Sequence, residues 1–209
     1  MRTGQKMSTT ARIIQQCIKC RMYNLPEGKR SRTRMKLIDA AAAVIGEKGF
    51  DRASLEEIAA RAGMTRGAVY GNFKNKDELF LALIATVWKP IMPPLKPGAS
   101  LKRQMRILGK AVASEARVRL PYAAAAAAFQ LYAITHKQTR SALTKKNAAI
   151  YKWIASELVK VIPASDLPMP AERFVCVLDT MVTGLLFTYF QTPDLITEDI
   201  FISAFEALA

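Results

Sequence analysis

The stretch SLEEIAARAGMTRGAVYGNFKNK, residues 54–76, decides how the rest of the chain is read. Ser54 followed three residues later by Glu57 is a capping box, in which each side chain satisfies a backbone N–H that a helix start leaves without a partner. Leu55, Ile58, Ala59 and Ala62 then recur at helical spacing on one face. Gly63 stands where the chain must enter the left-handed region to leave a helix, which glycine does without a Cβ penalty. Thr65 is placed to cap a second helix, with Ala68 and Val69 suited to close packing beneath it. Thr65, Arg66, Tyr70 and Asn72 are left facing outward, and Gly67 and Gly71 add no bulk between them. Two short helices joined by a tight turn, the second small, basic and polar outside, suit a helix that enters a DNA major groove.

The flanks extend this unit. Upstream, Leu37, Ile38, Ala41, Val44 and Ile45 predict a helix from Arg32 to Lys48, ended by Gly49, with Phe50 folding back onto its stripe. Downstream, Asn75 and Glu78 form a second capping pair, opening a helix through about Trp88 with Leu79, Phe80, Leu83, Ile84 and Val87 as its apolar side. Residues 32–88 thus read as a helix-turn-helix DNA-binding head with a connecting helix. The linker Lys89–Ser100 carries four prolines and a glycine, so no helix crosses it and a domain boundary falls there. Residues 89–209 then read as helices: Leu101–Leu120, a segment entered through Pro121 and the alanines 123–128, 138–162, about Ala171 to Gln191, and Thr197 to Leu208. The predicted fold class is all-α: a three-helix head joined by a connecting helix to a C-terminal helical bundle for ligand binding and dimerisation.

Charge narrows the function. The 209 residues carry a net charge of +14, which suits nucleic acid, an anionic surface or an acidic partner. Residues 1–50 hold eleven Lys/Arg against three acids, so much of the excess precedes the helix pair. Residues 1–31 have few core-forming positions and read as a basic flexible arm, with Ala11–Cys20 able to form a short helix and Met7 or Met22 open as translation starts. Cys17 and Cys20 are half a zinc site, but the one histidine, His136, is distant and no second pair exists, so no metal or cofactor is expected. One histidine and scattered carboxylates also offer no nucleophile–base constellation, which argues against an enzyme. No apolar segment with a cleavage site follows the basic N-terminus, and the run Phe174–Phe190 is interrupted by Asp179 and threonines, so a buried helix is expected there rather than a membrane span. The chain is expected in the cytoplasm.

Residues 40–84, AAAAVIGEKGFDRASLEEIAARAGMTRGAVYGNFKNKDELFLALI, resemble the TetR family of bacterial transcriptional regulators. The resemblance rests on the Gly49-Phe50 turn, Ser54-Leu55 with Ile58-Ala59, Gly63-x-Thr65, Gly67-x-Val69-Tyr70, and then Phe73, Lys76 and Leu79-Phe80 in order. It implies a homodimer that binds a palindromic double-stranded operator through two heads. It also implies a helical C-terminal domain whose unidentified small-molecule effector loosens DNA binding, as in a repressor. Many members carry an aromatic residue or histidine after the tyrosine; here Gly71-Asn72 intervene, so no contact carries over to Gly71 and Asn72 is a substitute.

Each candidate residue has a plainer reading beside the functional one. Ser54 and Thr65 can cap helices or meet phosphate. Arg66 can bond a guanine edge in two places or simply neutralise a phosphate. Gly67 allows either DNA or a neighbouring helix to approach closely. Tyr70 can offer its hydroxyl to phosphate or edge the core, and Lys76 can join a helix start in holding phosphate or stay solvated. Arg32 and Arg34 belong to the alternating cations 29–34, which can follow a backbone, enter a minor groove or remain a solvated charge run. In the C-terminal domain, Met105, Leu108, Phe129, Tyr132, Trp153 and Phe187 are candidates for an apolar effector pocket or for ordinary core. The helix 171–191 has two apolar stripes where a surface helix needs one. Phe174, Leu178, Met181, Leu185 and Tyr189, with Phe201 and Phe205 on the next helix, are therefore candidates for a dimer interface. The function expected is a dimeric, effector-released DNA-binding regulator; the alternative is a basic architectural DNA-binding protein without an effector pocket.

Overall fold

The computed structural model describes residues 29–209, and every regular element among them is helical. Cys17, Cys20, Met7, Met22 and the Ala11–Cys20 helix lie outside the described residues, as does the basic arm up to residue 28. The helices are α1 Lys29–Lys48, α2 Leu55–Arg61, α3 Arg66–Tyr70, α4 Lys76–Val87, α5 Leu101–Arg119, α6 Ala123–Thr135, α7 Lys137–Leu158, α8 Ala171–Gln191 and α9 Glu198–Glu206. The chain divides after Lys89 into two compact units.

In the first unit, α1 is already helical at Lys29, the first described residue and three residues ahead of the expected Arg32. The alternating cations are therefore its opening turns and not an extended arm at those positions. Leu37, Ile38, Ala41, Val44 and Ile45 turn inward, and Gly49, at φ +80°, ends the helix. Ile58, Val69, Phe73, Leu79, Phe80 and Leu83 close over that stripe, all at 1% exposure or less. Burying side chains of this size contributes about 1.5–3 kcal/mol each. The tight turns come from local chemistry. After α2, Gly63 adopts φ +64°, and Met64 N–H donates to Ala59 while Gly63 N–H donates to Ala60, a two-bond helix stop.

Ion pairs fasten α2 from outside. Arg61 donates from both terminal nitrogens to the Glu47 carboxylate at 2.8 and 2.7 Å, and Lys48 pairs with Glu57. The Arg61 hydrogen bonds hold Glu47 below the ordinary carboxylate value of 4.5. Those from Lys48 and the Ser54 backbone do the same for Glu57. A carboxylate depressed in the folded state contributes stability that is present above its unfolded value and lost as pH falls through its folded value. Acidification below about pH 4.5 is therefore expected to lower the unfolding temperature of the head. In Glu47→Gln/Glu57→Gln, melts recorded between pH 6 and 3 should show a visibly smaller drop; equal drops would exclude these two groups as the cause.

In the second unit the proline-rich linker is anchored, not loose. Gln104, completely buried on α5, accepts from Lys96 N–H at 3.0 Å and donates to Lys96 and Ala99 carbonyls. α9 lies along α5, with Phe201 and Phe205 fully enclosed and Arg106 paired to Glu206. Pro121 sits in a 3-10 turn, Leu120–Tyr122, that re-aims the chain into α6. α7 packs on α8, where Tyr151 donates to Asp179 at 2.5 Å; burial first, then this acceptor, pushes the phenol well above its usual range.

The expectation that α8 would be buried needs correction. It is long and apolar enough to cross a membrane by length and composition, yet only 22% of its apolar window is enclosed. Phe174, Val175 and Leu186 face the chain's own core, whereas Leu178, Met181, Leu185 and Tyr189 are half-exposed. Of the dimer candidates, Phe174 on α8 and Phe201 and Phe205 on α9 are at most 1% exposed and hold this chain's core, the last two because α9 packs along α5.

Candidate nucleic-acid interface

α3 is a five-residue helix whose position is set from both ends. Thr65 Oγ1 accepts from Ala68 N–H at 3.3 Å at its start, so the hydroxyl caps. Gly71 closes its end, where a Cβ would come within 3.3 Å of the Gly67 carbonyl. Beneath it Val69 and Phe73 are buried, and these fix which edge points out. That outer edge is Thr65, Arg66, Gly67 and Tyr70, all exposed.

Arg66 is the one cation of this short helix. Its guanidinium lies 5.4 Å from the Tyr70 ring centroid, Nη2 reaches the Tyr70 hydroxyl at 3.4 Å, and Nε pairs with Glu56 at 3.0 Å. The Tyr70 hydrogen bond and then the Glu56 charge raise its already high pKa, so it is cationic throughout. A planar, restrained, exposed fork is the group that matches either a guanine edge or a phosphate.

Other candidates are held inside the protein. Arg34 donates to the Asn72 carbonyl at 2.7 Å and lies 4.1 Å over the Phe73 ring, so it ties α1 to the segment that follows α3. Asn72 donates to Ala68 at 2.8 Å and is half-buried. Its Oδ1 is enclosed and has no partner among the described residues. Ser54 is engaged with Glu57 through the backbone and hydroxyl, each at 3.2 Å. Lys76 differs most from its expected phosphate role. Its ammonium donates to the carbonyls of Phe50, Asp51 and Ala53 at 2.9, 3.1 and 3.1 Å, which uses all three of its donors. It also sits 4.5 Å over Phe50, which stacks on Phe80. Arg32 is exposed on α1.

Sequence reasoning missed Glu56 as the partner of Arg66 and Arg34 as an internal strut. Both link residues separated by a turn or by most of the head, and helical periodicity carries no signal across such gaps. The pocket candidates fall on four helices of the second unit. Met105, Leu108 and Phe129 are buried, Tyr132, Trp153 and Phe187 half-buried, and Tyr132 stacks on His136 at 3.9 Å.

Comparisons with known proteins place this geometry. Residues 37–83 match the family model described as bacterial regulatory proteins, tetR family. The HTH-type transcriptional regulator SrpR of Pseudomonas putida is 26% identical over 166 residues, covering 78% of this chain and 77% of that protein. The crystal structure of a transcriptional regulator from Rhodococcus sp. Rha1 is similar with a TM-score of 0.63 at 26% identity, over 84% of this chain and 92% of that one. NalD, the secondary repressor of the MexAB-OprM multidrug efflux pump in Pseudomonas aeruginosa, shares the fold with a TM-score of 0.57 at 22% identity, over 83% of this chain and 92% of that one. The helix-turn-helix of residues 37–83 thus matches that of the tetR family of bacterial regulatory proteins, and over most of its length the all-helical chain is similar to transcriptional regulators.

Proposed function

We propose that the protein acts in the cytoplasm as a homodimer that binds a palindromic operator through two heads and represses transcription until a small-molecule effector releases it. The observation that carries the DNA-binding part is the exposed Thr65–Arg66–Gly67–Tyr70 edge, presented on a helix pinned by buried Val69 and Phe73. Arg66 reads a base edge, Tyr70 and Thr65 meet the backbone, Gly67 lets the duplex come close, and Arg32 adds charge. Arg34, Asn72, Ser54 and Lys76 serve by positioning that edge. The half-exposed Leu178, Met181, Leu185 and Tyr189 support a second copy as the partner of α8, since a two-striped helix with one stripe open is half of an intermolecular bundle. NalD, a named repressor of an efflux pump, supports the repressor reading. The effector site falls within the second unit, where Met105, Leu108, Phe129, Tyr132, Trp153 and Phe187 supply apolar and aromatic lining.

Selection of bound fragments from randomised or genomic duplex DNA tests this reading. The recovered sites should form an inverted repeat, which reports both sequence preference and two-fold pairing of heads. Arg66→Ala should cost about 5- to 150-fold in affinity for the recovered site, the range for losing one two-point base contact. A footprint spread evenly over unrelated DNA, insensitive to Arg66→Ala, would instead establish the basic architectural protein.

A further inference from the structure

We propose that Glu56 is a specificity-determining residue: its carboxylate holds Arg66 over Tyr70 as a reader of base edges and denies that guanidinium to backbone phosphates. The inference rests on α3 being the DNA-reading helix.

Glu56 lies in the first turn of α2 and Arg66 is the first residue of α3, yet their charged groups meet at 3.0 Å across the intervening turn. Glu56 suits the N-terminus of α2 as a first-turn acid, and Arg66 is its one ion-pair partner among the described residues. Its neighbour Glu57 completes the capping box with Ser54 and takes the Lys48 ion pair. An exposed carboxylate on the side of the head that meets DNA repels phosphate. Its place there follows once Arg66 is counted with it.

The pair treats two kinds of DNA contact differently. A phosphate competes with the carboxylate for the same cation, and taking Arg66 away leaves Glu56 unpaired beside a like charge. A guanine edge is neutral and needs two parallel donors, so it can be met while the carboxylate stays in place. Nε lies against the Glu56 carboxylate as an ion pair, Nη2 has only the 3.4 Å contact to the Tyr70 hydroxyl, and Nη1 makes no hydrogen bond among the described residues. The Nη1–Nη2 end of the fork is therefore the end presented for two-point recognition. The ring below and the carboxylate beside it limit the rotamers Arg66 loses on binding, which favours the precise contact. Discrimination by penalising the wrong contact is how many specific interfaces are built.

The test compares full-length wild type, Glu56→Gln, Arg66→Ala and the double variant. Each is used for selection from a randomised duplex library and for titration of one arbitrary-sequence duplex across a salt series. Arg66→Ala identifies the base position that Arg66 reads. Glu56→Gln is expected to flatten preference at that same position and to tighten binding to the arbitrary duplex by about 3- to 10-fold. The salt slope on that duplex should steepen by roughly one per head as Arg66 engages a phosphate. In the Arg66→Ala background Glu56→Gln should change neither the base preference nor the slope. Equal thermal melts of wild type and Glu56→Gln show that the fold is intact. Preference preserved in Glu56→Gln overturns the proposal, as does a gain on the arbitrary duplex that is the same with and without Arg66, which is a bulk charge effect. A wild type that selects no site at all refutes the regulator reading and this inference together, an outcome distinct from either of those.

Discussion

Gly109→Ala is expected to destabilise the second unit by about 3 kcal/mol, the upper part of the range for forcing one carbon into a packed interior. A Cβ built at Gly109 lies 2.8 Å from Ile202 Cα, 3.0 Å from the Phe201 carbonyl oxygen and 3.2 Å from the Ile202 nitrogen. These are backbone atoms of α9, so no side-chain rotation can relieve the overlap; one helix must move. That movement would unseat Phe201 and Phe205, both enclosed between α9 and its neighbours, and would strain the Arg106–Glu206 pair. The penalty should therefore grow steeply with size, and Gly109→Val should fail to give a cooperative melt of this unit. Gly184→Ala on α8 is the matched control, because a Cβ there meets nothing within 4 Å. Replacing glycine in that open helix position should leave stability unchanged or raise it by up to about 1 kcal/mol. Urea unfolding followed through hydrogen exchange of α5 and α9 amides separates the two variants. Equal stability of Gly109→Ala and wild type would show that the α5–α9 approach is not tight.

The contrast between these glycines marks what was legible in the sequence. Helix positions followed from periodicity, and the caps at Ser54, Thr65 and Asn75 followed from side-chain chemistry within three residues of each helix start. Gly63 and Gly49 were readable because a helix stop at positive φ selects glycine locally. Gly109 has an ordinary helical backbone, and its necessity comes from a segment some ninety residues later. The same limit explains the site. Arg66 and Tyr70 could be placed on an outward edge from the pattern beneath them. That Glu56 would reach Arg66, or that Arg34 would bond the Asn72 carbonyl, depends on how α1, α2 and α3 cross. A cation on a basic stretch beside a DNA-binding helix reads as a DNA contact; only packing reveals that its charge is already answered by a carbonyl.

Lys76 gives the sharpest form of that distinction, and Lys76→Met is expected to cost the head about 3 kcal/mol, as charge-assisted hydrogen bonds to backbone contribute about 1.5–3 kcal/mol each and these are partly solvated. The ammonium gathers the Phe50, Asp51 and Ala53 carbonyls from the loop between α1 and α2 and fixes them to the first residue of α4. Through that loop it sets where α2 begins, and α2 carries the turn that aims α3. Methionine keeps the length and the contact with Phe50 but supplies no donor, so the three carbonyls must turn to water. Arginine should not restore the loss, because three carbonyls converging on one nitrogen do not match a planar fork. Two readouts separate this role from a phosphate contact. If Lys76 acts as the clamp, Lys76→Met lowers the unfolding temperature and speeds amide exchange at residues 50–53. Well below that temperature it leaves the salt dependence of DNA binding unchanged. If the ammonium instead met a phosphate, stability would hold while the slope of log affinity against log salt would fall by about 0.9 per head. The geometry favours the first result: a lysine with three carbonyls already bound gains little by exchanging them for one anion, and the loop it would abandon sets the start of α2, whose end aims the helix that carries Arg66.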